Sequence, residues 1–177
     1  MKIIVFPRYD SSQASTRVRV LQYLPFLEKA GIEIEVFPIL GVHGISGRST
    51  WFKFLISRIK SFYHVGKRLY KEKRKNSIIH LHSELFPFVP FCLEFCYLSF
   101  LGKTKYIIEF DDAWFHRYDS NKSFIIRAIL GKKIDKLMKH SILVIAGNQC
   151  IADRAKLAGA HFIEIIPTVV DLTMYKK

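Results

Sequence analysis

The residues most suited to chemistry are two adjacent carboxylates, Asp111 and Asp112, which directly follow a short apolar run at residues 105–110. A carboxylate can accept the proton of a hydroxyl group or hold that hydroxyl by hydrogen bonds. We therefore predict a catalytic role for at least one of them. The alternative is that one aspartate caps the following turn while the other is solvated.

A second polar group ends an earlier apolar run, at His80, His82 and Glu84. Residues two apart in a strand project to the same face, so the two histidines are predicted to be neighbours. Two histidines can bind a metal ion, but no third ligand stands at a diagnostic spacing. We therefore expect no metal site. His82 and Glu84 are assigned to contacts with a ligand, and a partly buried histidine is the alternative.

The loop after the first apolar run and the helix start that follows it are rich in hydroxyls and arginines, namely Arg8, Ser15, Thr16, Arg17 and Arg19. Hydroxyls at a helix start, together with arginines, favour an anionic group. Helix capping by Ser15 or Thr16, with solvated arginines, explains them equally well. The loop contains no glycine, which argues against a dinucleotide-binding domain, and the chain has no P-loop motif. Asn148 is open to the same two interpretations, ligand contact or helix N-cap.

All these residues follow strands in a predicted alternation of strands and helices. Strands are predicted at residues 2–6, 32–37, 77–81, 105–110, 142–146 and 162–166, and helices at 16–30, 51–75, 85–101, 123–139 and 149–157. This alternation requires right-handed crossovers and a parallel sheet covered on both faces. We predict an α/β fold, a doubly wound parallel sheet in a Rossmann-like three-layer αβα arrangement. The expected strand order is 3-2-1-4-5-6, with ligands at the switch point between strands one and four.

The composition limits the classes of partner. The 177 residues suit one domain, and the net charge of +13 attracts nucleic acid, anionic lipid or phosphate-bearing substrates. Nucleic acid is disfavoured because no RNP-like aromatic motif or recognition helix is visible. Three cysteines without a zinc pattern indicate reduced thiols in the cytosol. Two of them, Cys92 and Cys96, share one helix face and are assigned to core packing.

The predicted helix at residues 51–75 combines aromatic and basic side chains. Its candidate membrane contacts are Trp51, Phe54, Lys60, Lys67 and Arg68. A basic amphipathic helix of this kind can lie in a bilayer interface. The alternative is an ordinary packed helix with a solvated basic face. The longest apolar run, residues 86–101, is shorter than the roughly 20 residues of a spanning helix, so it is predicted to be a buried core helix, with a re-entrant or interfacial segment as the alternative.

Three parts of the chain resemble glycosyltransferases of the GT4 type, which have the GT-B fold. Residues 15–31, which include STRVR at 15–19 and QYLP at 22–25, look like the first helix of that family. EFDDA at 109–113 is similar to the end of the fourth strand in a subset of members. Residues 146–155 and 166–172 resemble the crossing from the first to the second domain. The resemblance implies that residues 1–177 form the amino-terminal, acceptor-side domain.

The resemblance also implies an activity, the transfer of a sugar from a nucleotide-sugar to a glycan or lipid-linked acceptor. The donor is then a co-substrate and no cofactor is needed. A carboxy-terminal domain with an E-x7-E motif is expected beyond Lys177, and this part alone is expected to be inactive. Asp111 or Asp112 stands where many members have a histidine, so either is a candidate base. The expected location is the cytoplasm, at the inner face of the cell membrane. The alternative is a non-catalytic basic module that binds a membrane surface or polyanion.

Overall fold

The computed structural model describes residues 1–39, 51–72, 77–101 and 105–171. Within these residues the strands are β1 (Lys2–Phe6), β2 (Glu33–Val36), β3 (Ser77–His82), β4 (Tyr106–Phe110), β5 (Leu143–Ala146) and β6 (Ile163–Ile165). The helices are α1 (Ala14–Arg19), α2 (Leu24–Lys29), α3 (Trp51–Glu72), α4 (Phe91–Leu101), α5 (His116–Asp119), α6 (Phe124–Leu130), α7 (Lys133–His140) and α8 (Gln149–Ala158). Each predicted strand is confirmed to within one residue at either end.

The strands form one parallel sheet with helices on both faces, which confirms the predicted Rossmann-like three-layer class. The predicted order of the strands is wrong, however. The observed order is β2-β1-β3-β4-β5-β6, so β1 lies between β2 and β3. From β1 the chain crosses to one edge of the sheet, where it forms β2. It then returns past β1 and adds β3, β4, β5 and β6 in turn towards the other edge. The switch point therefore lies between β1 and β3, and not between strands one and four.

The two faces of the sheet are filled unequally. One face is the main core, packed beneath α3, α4, α7 and α8, and its fully buried strand residues are Ile4, Phe6, Ile79, Leu81, Ile108, Val144 and Ala146. The other face is covered by α1 and α2, which leave a cavity of about 330 Å³ against the sheet. Right-handed crossovers that run in opposite directions across a sheet place their helices on opposite faces. This accounts for the separation of α1 and α2 from the later helices.

The first predicted helix is divided, and its proline explains the division. A 3₁₀ turn at Leu21–Tyr23 separates α1 from α2. Pro25 then falls in the first turn of α2, where the missing N–H removes no helical hydrogen bond. Gly31 ends the segment with a φ of 75°, the left-handed conformation predicted for it. The prediction that Ser15 or Thr16 caps this helix is wrong, because both residues lie within α1. The N-cap of α1 is Gln13, and its side chain makes no capping hydrogen bond.

Two further expectations about helices are corrected. The predicted helix at residues 123–139 is two helices, α6 and α7, which are separated at Gly131. Core packing of Cys92 and Cys96 is wrong, since both are free and exposed. The buried positions of α4 are instead Glu94 and Leu98, because Glu94 is drawn inward by a buried lysine described below.

Candidate functional site at the carboxyl edge of the sheet

Five polar side chains gather at the carboxyl ends of β3 and β4, on the face covered by α1. We call them the carboxyl-edge cluster: Arg19, His80, His82, Glu109 and Asp111. Register explains the gathering, because His82 pairs with Glu109 across the two parallel strands. His80 and His82 share a strand face by the period of two, as predicted. Arg19 reaches them from the last turn of α1.

A buried ion pair lies at the base of this cluster. The Nε of Arg19 donates to Oε1 of Glu109, and the two side chains are 3% and 4% exposed. The Nε2 of His80 lies 2.9 Å from the other oxygen of Glu109. Burial alone would raise the pKa of Glu109, but His80, His82 and Arg19 outweigh it and lower that pKa. Glu109 is therefore held as a carboxylate.

His82 and Asp111 form the outer part of the cluster. The Nε2 of His82 lies 3.8 Å from Oδ2 of Asp111 and forms no hydrogen bond with the residues that the structure describes. Burial lowers the pKa of His82, although Glu109 and Asp111 oppose this effect. A neutral imidazole thus stands beside a half-buried carboxylate. Such a pair can bind a hydroxyl group and accept its proton.

The structure separates the two predicted catalytic aspartates. Asp111 points towards His82, whereas Asp112 is exposed and its backbone oxygen accepts a hydrogen bond from Trp114 N. Gly147, after β5, approaches the same place. A Cβ at Gly147 would lie 3.0 Å from the Cα of Asp111. The ends of β4 and β5 therefore pack so closely that a Cβ at this position would be crowded by backbone atoms.

Arg8 lies at the end of β1, next to the switch point, and has no ionic partner among the described residues. Its guanidinium carbon lies 4.8 Å from the centre of the Trp114 ring, and that of Arg117 lies 4.3 Å from the same ring. The Nε and Nη1 atoms of Arg8 are buried without a hydrogen-bond partner in the described part of the chain. A buried cation without a counter-ion is unfavourable, so this position favours an anionic ligand.

Two other predicted binding residues, Thr16 and Arg17, form hydrogen bonds to backbone carbonyls of the first loop. The hydroxyl of Thr16 is buried and donates to Tyr9 O at 3.0 Å. Arg17 donates to the carbonyl oxygens of Ser11 and Ser12, at 3.0 and 2.8 Å. Ser15 is half-buried. These internal hydrogen bonds stabilise the loop. Arg8 differs, because its buried Nε and Nη1 donors have no partner among the described residues.

Glu84, another predicted binding residue, is buried away from the cluster. It accepts from Lys133 Nζ at 2.6 Å and from the Tyr118 hydroxyl at 2.7 Å. Glu94 lies 2.8 Å from the same lysine, so two buried carboxylates share one cation. Burial raises the pKa of Glu94 against the opposing effect of Lys133. This network ties the loop after β3 to α4, α5 and α7.

Lys133 was not identified from the sequence, although a signal was present. Its spacing from Leu130, Ile134 and Leu137 places it on the buried stripe of a helix.

Asn148 is the N-cap of α8, which was one of the two roles predicted for it. Its Oδ1 accepts a hydrogen bond from Ile151 N at 3.1 Å.

The segment after β6 is held against α1 and the 3₁₀ turn that follows it. Arg19 Nη1 donates to Ile166 O at 2.8 Å and to Thr168 Oγ1 at 3.2 Å. Gln22 Nε2 donates to Val169 O at 2.8 Å, and its Oε1 accepts from Asp171 N at 3.2 Å. Two buried side chains of the first helical segment thus set the direction in which the chain leaves the sheet.

The predicted membrane contacts of α3 divide into three groups. The side chains of Trp51 and Phe54 lie outside those that the structure describes. Lys60 and Lys67 are exposed. Arg68 instead pairs with Glu35 on β2 and is largely buried, so it belongs to the inner side of the helix. In the described part of the chain, no helix is both long and apolar enough to cross a membrane.

Comparison with known sequences identifies no family for this chain. Among the described residues, no three His, Cys, Asp or Glu side chains are grouped so that they hold a metal ion. No protein-family model matches the chain. No curated protein matches it at a significant level.

Proposed function

We propose that this chain is the acceptor-binding domain of a glycosyltransferase, which moves a sugar from a nucleotide-sugar to a glycan or lipid-linked acceptor. The observation that carries the proposal is the pairing of His82 with Asp111 beside the switch point of a parallel sheet. Ligands of such sheets bind outside the carboxyl ends of the strands, at this point. The resemblance of residues 15–31, 109–113 and 146–172 to GT4-type enzymes supports the same conclusion.

Asp111 is the proposed base. An acceptor hydroxyl bound between Asp111 and His82 gives its proton to the Asp111 carboxylate as its oxygen bonds to the sugar. The bond from the sugar to the nucleotide diphosphate breaks in the same reaction, and the diphosphate leaves. His82, held neutral by burial, orients the hydroxyl by a hydrogen bond. Arg8 offers its unused donors to an anionic group of the ligand.

The donor requires a second domain in this proposal. The segment held by Arg19 and Gln22 is the connection that would lead to it. A segment fixed in this way would carry the second domain from a defined position next to the carboxyl edge. No cofactor is proposed, because the nucleotide-sugar is a co-substrate.

Sugar transfer by the natural polypeptide that carries this chain tests the proposal. Nucleotide diphosphate release is measured with a panel of nucleotide-sugars and with lipid-linked and soluble acceptors. Asp111→Asn should lower kcat by about 100-fold or more, the range typical of a lost general base. The matched control is Asp112→Asn, which should have little effect. Equal turnover in Asp111→Asn and the unchanged protein would exclude the proposed base.

A non-catalytic membrane-surface module is the second candidate. The outer side of α3 supports it, because apolar and basic side chains alternate there: Ile59, Lys60, Tyr63, Lys67 and Tyr70 are all exposed. Salt-sensitive binding to liposomes, with no sugar transfer by the natural polypeptide and any donor, would favour this module. If both are found, the enzyme acts at a membrane surface.

A further inference from the structure

The helix α6 packs Ile126 and Leu130 against the core and presents three other large apolar side chains outwards. Phe124, Ile125 and Ile129 are 73%, 66% and 60% exposed. Only Leu130 of this helix is buried. A surface helix ordinarily turns its large apolar residues to the core, and contiguous exposed apolar residues mark an interaction site. These three residues therefore mark a candidate interaction surface.

The position of α6 places this apolar surface at the carboxyl edge of the sheet. The helix α5 follows soon after β4 ends at Phe110, and it contacts α6. Lys133, which begins α7 soon after α6 ends, binds Glu84 just beyond the carboxyl end of β3. Both ends of the α5–α6 unit are thus at the same edge as the carboxyl-edge cluster.

The charges around α6 have one sign. Lys122, Arg127 and Lys132 are exposed, and residues 120–134 contain no acidic residue. The nearest acids on either side, Asp119 and Asp135, both pair with Arg154 of α8, at 3.2 and 2.7 Å. Asp135 also lies 3.6 Å from Lys132, whose side chain is 80% exposed, whereas Lys122 and Arg127 form no ion pair within the residues that the structure describes.

A strained and exposed aromatic residue lies in the loop after β3 and contacts α5. Phe88 has a φ of 63° and is exposed. A bulky residue rarely adopts this left-handed conformation, which is unfavourable unless the surroundings impose it. The Phe88 ring packs edge-on against Tyr118 of α5, with ring centres 5.5 Å apart. Backbone strain is thus retained in a loop that displays an aromatic side chain to solvent.

We propose that α6 is a docking surface for an anionic lipid bilayer. Phe124, Ile125 and Ile129 enter the interface between headgroups and acyl chains, while Lys122, Arg127 and Lys132 contact the anionic headgroups. Charge complementarity selects this partner, because a second copy of the chain would bring the same cations face to face. This surface is distinct from α3, and its membrane binding does not depend on the proposed transferase activity.

Co-sedimentation of the full chain with vesicles tests the docking surface. The vesicles contain phosphatidylcholine with or without phosphatidylglycerol. The triple variant Phe124→Ser, Ile125→Ser and Ile129→Ser should bind the mixed vesicles roughly tenfold or more weakly than the unchanged chain. The matched control is Leu157→Ser on α8, because Leu157 is 86% exposed and lies outside the proposed surface. Its binding should not change.

Two further variants identify the cause of any loss. Lys122→Gln with Lys132→Gln should weaken binding to the mixed vesicles and leave binding to phosphatidylcholine alone unchanged. Lys60→Gln with Lys67→Gln on α3 tests the other basic surface. When these two changes are present, the triple variant should still weaken binding to the mixed vesicles by the same factor. The proposal is overturned if the triple variant binds as the unchanged chain does, or no more weakly than the Leu157 control. It is also overturned if sedimentation equilibrium reveals a dimer that the triple variant abolishes.

Discussion

Arg19 and Glu109 form an ion pair that joins the first helix to the fourth strand, and both side chains are almost fully buried. The same guanidinium also donates to Ile166 and Thr168, in the segment after the last strand. One residue thus connects three parts of the chain that are far apart in sequence. The candidate site and the direction of the outgoing chain depend on the same side chain.

Replacing Arg19 should therefore disturb both stability and the outgoing segment. Arg19→Gln leaves Glu109 buried without its main counter-ion, which should lower the free energy of unfolding by about 3–5 kcal/mol. Residues 166–171 should also become more sensitive to limited proteolysis. Urea unfolding and mass spectrometry of the fragments measure the two effects. Arg17→Gln is the control, since within the described residues Arg17 bonds to loop carbonyls alone, and equal losses in both variants would contradict the expectation.

The buried lysine is expected to be a second major determinant of stability. Lys133→Met leaves Glu94 buried without its cation and leaves Glu84 with only the more distant Arg117, at 3.8 Å, so it should lower the free energy of unfolding by about 3–5 kcal/mol. Lys132→Met, one residue earlier and exposed, should have almost no effect in the same urea experiment. Adding Glu84→Gln and Glu94→Gln to Lys133→Met should recover part of the loss. A further loss on adding them would show that the carboxylates are not the cause.

Stability should fall in mild acid because of His82. Burial lowers the pKa of His82 in the folded state, so below the usual value of 6.5 the unfolded chain binds more protons than the folded one. Stability is therefore lost as the pH falls from 6.5 through the folded pKa. The free energy of unfolding, measured between about pH 5 and pH 8, should lose part of its slope in His82→Gln. His64→Gln, which changes an exposed histidine, should retain the full slope.

Gly147 should be intolerant of even a methyl group. The added Cβ in Gly147→Ala would lie 3.0 Å from the Cα of Asp111 and 3.2 Å from its carbonyl oxygen. Overpacking of this kind should lower the free energy of unfolding by about 1–3 kcal/mol and move Asp111 relative to His82. Sugar transfer by the natural polypeptide should fall as well. Gly31→Ala, where only the positive φ is strained, should reduce stability without reducing transfer.

The sequence predicted which residues would stand near the site, though not what each would do there. Asp111 and His82 were expected at the ends of strands four and three, and they meet there. Glu84 was expected at the same edge, but it is engaged by Lys133 in the interior. Local patterns place a residue at the end of a strand, whereas its partner comes from a distant part of the chain. The role of such a residue therefore follows from the partner.

Short apolar runs and their alternation with helical segments by themselves determined the six strands and the three-layer class, because the strands of a parallel sheet are buried on both faces. Tertiary structure alone decided that β3 lies beside β1. The apolar pattern of β3 would be buried equally well beside β2, so the pattern does not select the neighbouring strand. It also decided the partners of Arg19 and Lys133, which are 90 and 49 residues away. Ion pairs over such separations depend on how the layers pack, and local periodicity carries no information about that packing.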